Sequence, residues 1–450
     1  MPGKIIQTLI DTPYNYPNPK ACYKQGDNPK ILDVIRKWCS EQINDIKAIS
    51  ASHFLFNNKY LLQQFIEISK MNRKVRIFTI PLAGYDMSMR SVIDISSNET
   101  SQGSKRQFAE EVYEEAKKQD TACFQMWINP KMYAFSKDLH PYARGENGRE
   151  SLPYAHHDKK ILVELTNGKA VLFSTSNNFV VGDPPKFEHL LQAELDQLEL
   201  EFLQNDFKKL EEMSVPINSY REEPEKLYYR YVQPVSHTSV KQPDNLMLIS
   251  PSYTNSGKQV IDRVGGEMLK VEKRLYISVE HIAMVSGLIS SDLAKTLNSR
   301  GVNVTCISAR YVTPPGVNQN LFGTETYNTQ SFTSFQALVL ANPRWSLYFH
   351  PSMHGKIIIA DDIVILSSFN YSPTQFLYGK DIDIPYFTYY ESYISYRGDS
   401  SEIGHCVIIK NKELADYLVS QIDNFIMHPS TICCIKGGKY IHEPVHSERK

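Results

Sequence analysis

His354-Gly355-Lys356-Ile357-Ile358-Ile359-Ala360-Asp361 runs on through Asp362 and a second apolar stretch into Ser367-Ser368-Phe369-Asn370. Branched apolar residues interrupted by the Asp361-Asp362 pair predict two buried strands joined by a tight turn. Such a hairpin returns the chain to its starting end and sets His354 and Lys356 beside Asn370. An earlier stretch has the same form. His156-His157-Asp158-Lys159 leads into Ile161-Leu162-Val163-Glu164-Leu165, a Thr166-Asn167-Gly168-Lys169 turn, and Val171-Leu172-Phe173-Ser174-Thr175-Ser176-Asn177. The Asn-Gly pair is a strong hairpin signal. A spacing of two puts His157 and Lys159 on one face of a strand, and His156 has no lysine two residues on.

Outward from these hairpins, the two halves repeat one order of elements. Ile31-Leu32-Asp33-Val34-Ile35 opens a helix, as does Val260-Ile261-Asp262-Arg263-Val264. Strands at 46–51 and 75–80 match strands at 275–279 and 302–307, and a strand at 122–128 stands before the first hairpin as Ser346-Leu347-Tyr348-Phe349 stands before the second. Helices alternating with strands imply mainly parallel sheets with crossover helices, and the recurrence implies an internal duplication. The expected fold class is therefore α/β, with two similar mixed β-sheet lobes flanked by helices. The expected division is an irregular lead-in over 1–28, a first lobe over 29–213, a proline-bearing crossover linker over 214–243, a second lobe over 244–428 and a polar tail over 429–450. Within the first lobe, Lys186 to Met213 reads as one long amphipathic helix whose many acids form a solvated face. His53 and His281 read as matching positions that maintain the fold.

Composition narrows the function classes. A content of 42% hydrophobic residues across 450 positions supports substantial cores. With 49 basic against 50 acidic residues the formal charge is −1, so a global basic field for nucleic acid or anionic membrane is absent. No apolar run is long enough to span a bilayer, and the N-terminal residues lack a signal-peptide pattern. The expected location is cytoplasmic, with peripheral contact at a membrane surface as a further expectation. Seven scattered cysteines suggest reduced thiols more than a disulfide framework or a zinc site. The aromatic tract from Tyr386 to Tyr396 suits a lipid interface, base stacking or cross-strand pairing.

The chemistry resides in the two hairpins. Histidine acts as nucleophile or general acid/base near neutral pH, while lysine and asparagine offer donors suited to phosphoryl oxygens. Two half-sites facing each other would place two His, two Lys and two Asn around one phosphorus, with no metal or cofactor expected.

His354-Gly355-Lys356, then Asp361, then Ser367-Ser368-Phe369-Asn370 resembles the HKD motif of the phospholipase D superfamily. The hairpin is about one residue short, and Ser367 stands where glycine is usual. The first copy, His157-Asp158-Lys159 with Ser174-Thr175-Ser176-Asn177, has Glu164 in place of the acid and is similar to the first half-site of tyrosyl-DNA phosphodiesterases. The resemblance implies a phospholipase D-like duplicated fold over about residues 30–428 and a two-step reaction through a phosphohistidine. It implies His157 as nucleophile, His354 as acid/base, and Lys159, Lys356, Asn177, Asn370, Ser176 and Ser368 as groups that hold the phosphate. Asp361, at the turn end of its hairpin, is an expected orienting group, and Glu402 is the expected carboxylate that hydrogen-bonds a catalytic histidine. The expected activity is phosphodiester hydrolysis or transfer on a phospholipid or small diester. A nuclease or DNA-end-processing enzyme is the alternative, and a catalytically silent membrane or scaffold protein the second. Both half-sites lie in one chain, so no oligomer is required.

Overall fold

The computed structural model describes residues 4–18, 29–82, 100–129, 156–220, 241–250, 252–314, 316–317, 330–372, 375–376, 384–387, 393–396 and 402–445. Two mixed sheets dominate it. The first comprises β1 (Ile5–Asp11), β2 (Ile46–His53), β3 (Lys74–Thr79), β4 (Phe124–Ile128), β5 (Lys159–Leu165), β6 (Ala170–Thr175), β7 (Glu188–Glu194) and β8 (Val215–Pro216), in the order β1-β7-β6-β5-β2-β3-β4-β8. The second comprises β9 (Leu246–Ile249), β10 (Arg274–Ser278), β11 (Asn303–Ser308), β12 (Trp345–Phe349), β13 (Ile357–Ala360), β14 (Ile363–Ser367), β17 (Gly404–Lys410), β18 (Ile432–Lys436) and β19 (Lys439–Pro444). Its order is β19-β18-β12-β11-β10-β13-β14-β17-β9. Two further strands, β15 (Ile384–Phe387) and β16 (Tyr393–Tyr396), pair only with each other. They hold the ends of the aromatic tract, whose middle lies outside the described residues.

The two orders superimpose as a duplication. β2, β3 and β4 are parallel, and β5, β6 and β7 follow antiparallel on the other side of β2. β10, β11 and β12 repeat the parallel half, and β13, β14 and β17 repeat the antiparallel one. Each lobe thus has the predicted α/β form.

Burial on both faces explains why the central strands read as unbroken apolar runs. On β5, Ile161 and Val163 join a core with the helices Lys30–Glu41 and Lys59–Lys70, whereas Leu162 joins a core shared by both lobes. On β13, Ile358 faces its own lobe's core, and Ile357 and Ile359 enter the shared one. The helices Gln197–Glu212 and Lys412–Ile426 contribute Leu203, Phe207, Leu418 and Ile422 to that shared core. Among the described residues, no helix is long and apolar enough to cross a membrane.

Four boundaries differ from the sequence reading. The lead-in contains β1, which pairs along β7 through Leu9↔Leu190. Val215–Pro216 of the expected linker pairs with β4. Much of the expected tail is the β18–β19 hairpin, turned by Gly437 and Gly438, both at positive φ. Lys186 to Met213 is not one helix, because β7 occupies Glu188–Glu194 and a capping box between Asp196 and Glu199 starts the helix at Gln197. With both faces of β7 buried, its sequence lacks the alternation that separates strand from helix.

Candidate active site

Both hairpins carry their functional groups to the seam between the lobes. His157 and His354 stand just before β5 and β13, each 4% exposed. Lys159 donates to the backbone carbonyl of His157 at 2.8 Å and to that of Ser368 at 3.3 Å. Lys356 repeats the first bond, donating to the carbonyl of His354 at 2.6 Å. His156 turns the other way and meets Ser52 Oγ through Nε2 at 3.1 Å, so His157 is the histidine at the seam.

Each histidine is oriented by the opposite lobe. The backbone N–H of His354 donates to Phe187 O at 3.2 Å, and its Nδ1 lies 2.9 and 3.0 Å from the two carboxylate oxygens of Glu188. In mirror fashion, His157 N–H donates to Ile403 O at 2.9 Å and its Nδ1 lies 3.3 Å from Glu402 Oε2. A carboxylate on Nδ1 fixes the ring and leaves Nε2 as the pole for proton transfer or attack. Neither half-site is complete without the other lobe.

Glu188 was not identified from sequence, since the helical reading put it on a solvated face. The usable signal was an acid opening the strand after the hairpin, hidden by the absence of strand alternation. Ser176 donates to Glu188 at 2.5 Å and accepts from His189 N–H at 2.9 Å, so its hydroxyl holds Glu188. Ser368 Oγ likewise accepts from His405 N–H at 3.0 Å and ties β14 to β17. Asp361 sits at φ +54 at the hairpin tip and accepts from the backbone N–H groups of Glu272, Lys273 and Arg274 at 2.8–2.9 Å. It is about 16 Å of strand from Lys356 and orients the turn, not the site. Asn177 lines a small cleft with Lys186 and Glu188, its Oδ1 accepting from Phe179 N–H at 2.7 Å. Asn370 is buried, and its Oδ1 has no hydrogen-bond partner among the described residues. His53 and His281 are not equivalent: His53 pairs with Lys159 across β2–β5, and the same count in the second lobe reaches Val279. His281 instead lies 3.5 Å from Glu280.

Burial shapes the protonation of the site. It pushes His157 well below the usual histidine value, and Lys159 and Lys356 add to that effect. Burial also drives Lys159 well below the usual lysine value, reinforced by Lys356. For Glu188, burial raises the carboxyl, but His354 and the bonds from His354 and Ser176 outweigh it and hold it below the ordinary value. Elsewhere burial takes His156 and His189 down to about 3 and His53 well below its usual value. Histidines held neutral when folded take up protons on unfolding, so the unfolded state binds more protons below about pH 6.5. Stability is therefore full above that pH and falls as pH drops toward the folded values. The melting temperature should decline steadily between about pH 6.5 and 4; a flat profile would contradict this assignment.

A second buried constellation invites a wrong reading. Ser174 Oγ is 2.7 Å from His405 Nε2, and His405 Nδ1 is 2.6 Å from Asp158 Oδ1. This spacing matches a serine–histidine–aspartate relay. All three side chains are fully buried, however, so no substrate reaches the hydroxyl. The cluster neutralises Lys160, which Asp158 and Asp206 both bind inside the shared core. Ser174→Ala is expected to retain wild-type turnover; a loss confined to kcat in a folded protein would restore the serine reading.

Fold and site together define a duplicated α/β protein with a two-histidine, two-lysine centre shared by its lobes, the architecture that the phospholipase D resemblance implies. No family model matches the chain, and no curated protein matches it. Among solved structures, it is similar to polyphosphate kinase from Porphyromonas gingivalis at TM-score 0.48 and 9% identity, covering 99% of this chain and 51% of that one. The chain therefore spans about half the length of that kinase. It is similar to phosphatidylserine synthase from Haemophilus influenzae at TM-score 0.48 and 12% identity, over 90% and 86% of the two chains. It is similar to yeast tyrosyl-DNA phosphodiesterase at TM-score 0.39 and 11% identity, over 88% of each.

Proposed function

We propose that the protein is a phosphodiesterase that cleaves or transfers a phosphodiester through a phosphohistidine, the two histidines carrying the chemistry without a metal. The observation behind this reading is the pair of histidines, each with Nδ1 on a carboxylate from the opposite lobe and a lysine two residues on. His157 attacks phosphorus through Nε2. His354 protonates the leaving oxygen and then takes a proton from the incoming water or alcohol. Lys159, Lys356 and Asn370 stabilise the phosphoryl oxygens. With both groups intact at each half-site, a silent scaffold is the weaker reading.

Depth favours a slender substrate. Both imidazoles are 4% exposed, which suits a phospholipid headgroup or a small diester at the end of a chain and disfavours a phosphate within a duplex. A phospholipid or small diester is therefore the proposed substrate class, with nucleic-acid ends as the alternative and peripheral membrane contact as the corresponding mode of action. The test is turnover of bis(p-nitrophenyl) phosphate, followed by competition from phosphatidylcholine vesicles and from a single-stranded oligonucleotide. Inhibition by vesicles alone is expected. Inhibition by the oligonucleotide alone would reverse the substrate order, and absence of wild-type turnover would end the enzyme reading.

A further inference from the structure

Glu188 and His354 meet across the seam, and a second cross-lobe contact reaches the backbone that carries each of them. Glu188 opens β7, where it pairs with Asp11 of β1. Three residues beyond Asp11, in the turn Pro13–Asn15, Tyr14 passes from the first lobe to the second. Its hydroxyl bonds to Nε2 of His350, and its ring stacks on His428 at 3.4 Å between centres. Phe425, from the helix Lys412–Ile426, joins the group, its ring centre 5.8 Å from Tyr14, 4.3 Å from His350 and 4.7 Å from Phe187. His350 itself is 2% exposed and stands just upstream of His354.

The other nitrogen of His350 ties this contact to the site. Ser352 N–H lies 3.1 Å from His350 Nδ1, and a backbone amide can only donate, so Nδ1 is the unprotonated nitrogen. Burial takes His350 down to about 3, which keeps the ring neutral. The neutral ring then carries its proton on Nε2 and donates it to the Tyr14 oxygen. Ser352 O accepts from Phe187 N–H at 2.8 Å, and Phe187 O accepts from His354 N–H at 3.2 Å. Met353 N–H closes the turn on His350 O at 3.0 Å. Gly355 permits this close passage, since a Cβ there would meet the Phe187 ring at 2.8 Å. One run of bonds thus leads from Tyr14 through His350, Ser352 and Phe187 to the backbone of His354.

We propose that Tyr14 and His350 are positioning residues for His354, a brace between the His350–His354 turn and the β1–β7 strand pair that bears Glu188. The proposal rests on the phosphodiesterase reading and deepens it. Phe187 and Glu188 hold the inner end of the turn, beside the seam, and Tyr14 holds the outer end. Loss of the outer bond lets the turn tilt about the inner ones. A displacement on the order of 1 Å at a reacting group costs up to about 10²-fold in rate. His157 is held separately, by Ile403 and Glu402, so the brace acts on the acid/base and leaves the nucleophile in place.

Single-turnover kinetics separate this role from a structural one. With enzyme in excess over bis(p-nitrophenyl) phosphate, release of p-nitrophenol reports formation of the adduct on His157, and loss of the adduct reports its hydrolysis. An aryl leaving group needs no acid, whereas hydrolysis needs His354 as base. Tyr14→Phe removes the hydroxyl and keeps the ring that stacks on His428. It should form the adduct within roughly twofold of the wild-type rate and hydrolyse it about tenfold more slowly. His350→Asn keeps an acceptor near the place of Nδ1 for Ser352 and loses the bond to Tyr14, so it should match Tyr14→Phe. The double variant should be no slower than either single one, because both remove the same bond. Equal slowing of the two steps, hydrolysis at the wild-type rate in Tyr14→Phe, or additive losses in the double variant would overturn the proposal. Failure of the wild type to form an adduct would instead remove the reading beneath it.

Discussion

His157→Ala is expected to lose turnover by on the order of 10⁴-fold or more and to form no covalent adduct with any diester. The variant removes the imidazole that packs edge-on against Phe54 and lies within the field of Lys159 and Lys356. His354→Ala should behave differently. It lacks the acid, so an alkyl diester is cleaved roughly 10²–10⁴-fold more slowly, but an aryl diester still phosphorylates His157. Without a base to activate water, that adduct should accumulate. Burst kinetics with bis(p-nitrophenyl) phosphate check this: one equivalent of p-nitrophenol followed by near-zero steady state is the expected trace. An equal, burst-free loss in both variants would mean that the histidines do not divide the roles.

The second large effect concerns stability. Asp158→Ala leaves Lys160 in the shared core with Asp206 as its sole remaining acid and leaves His405 Nδ1 without its acceptor. Breaking a buried ion pair by deleting one partner costs about 3–5 kcal/mol, because the remaining charge stays desolvated. By contrast, the Lys37–Glu41 pair is exposed on both sides, and deleting it should change stability by less than about 1 kcal/mol. Urea unfolding of the two variants compares them directly. Similar midpoints would show that the buried network does not carry the load assigned to it. Asp158 also adds acid sensitivity. Burial raises its carboxyl, but Lys160 and His405 outweigh burial and hold it well below the ordinary value. Its stabilisation is present above the unfolded carboxylate value, about 3.9, and is lost as pH falls through the folded one.

Much of this arrangement was legible in the sequence because the hairpins are deeply buried. Ile357–Ile359 and Val364–Leu366 are apolar without interruption since alternate side chains enter two different cores. Their polar ends then stand out as His354, Lys356 and Asn370. The duplication was legible for the same reason, each lobe needing the same order of buried strands. Edges were harder. β1 and β19 are partly exposed strands, and β1 pairs with a partner far along the chain that no local pattern names.

Site residues outside the hairpins were the least legible. Glu402 stands just before a strand and lies 3.3 Å from His157 Nδ1, whereas Glu188 was hidden in an apparent helix. Ser176 and Ser368 fit a phosphate-binding pattern in sequence, yet in three dimensions their hydroxyls secure Glu188 and the β17 backbone. A motif identifies residue types, whereas the hydrogen-bond partners decide which of them remain available to a substrate.

The central claim is that one active centre is built across both lobes, with His157 as its nucleophile. It is tested most directly by mixing enzyme with bis(p-nitrophenyl) phosphate, quenching within one turnover under alkaline conditions that preserve phosphohistidine, and mapping the modified peptide by mass spectrometry. The expected adduct is a p-nitrophenyl phosphoryl group on the peptide carrying His157, enriched in His354→Ala and absent in His157→Ala. An adduct on His354 or on a serine, or turnover with no adduct in any variant, would contradict it.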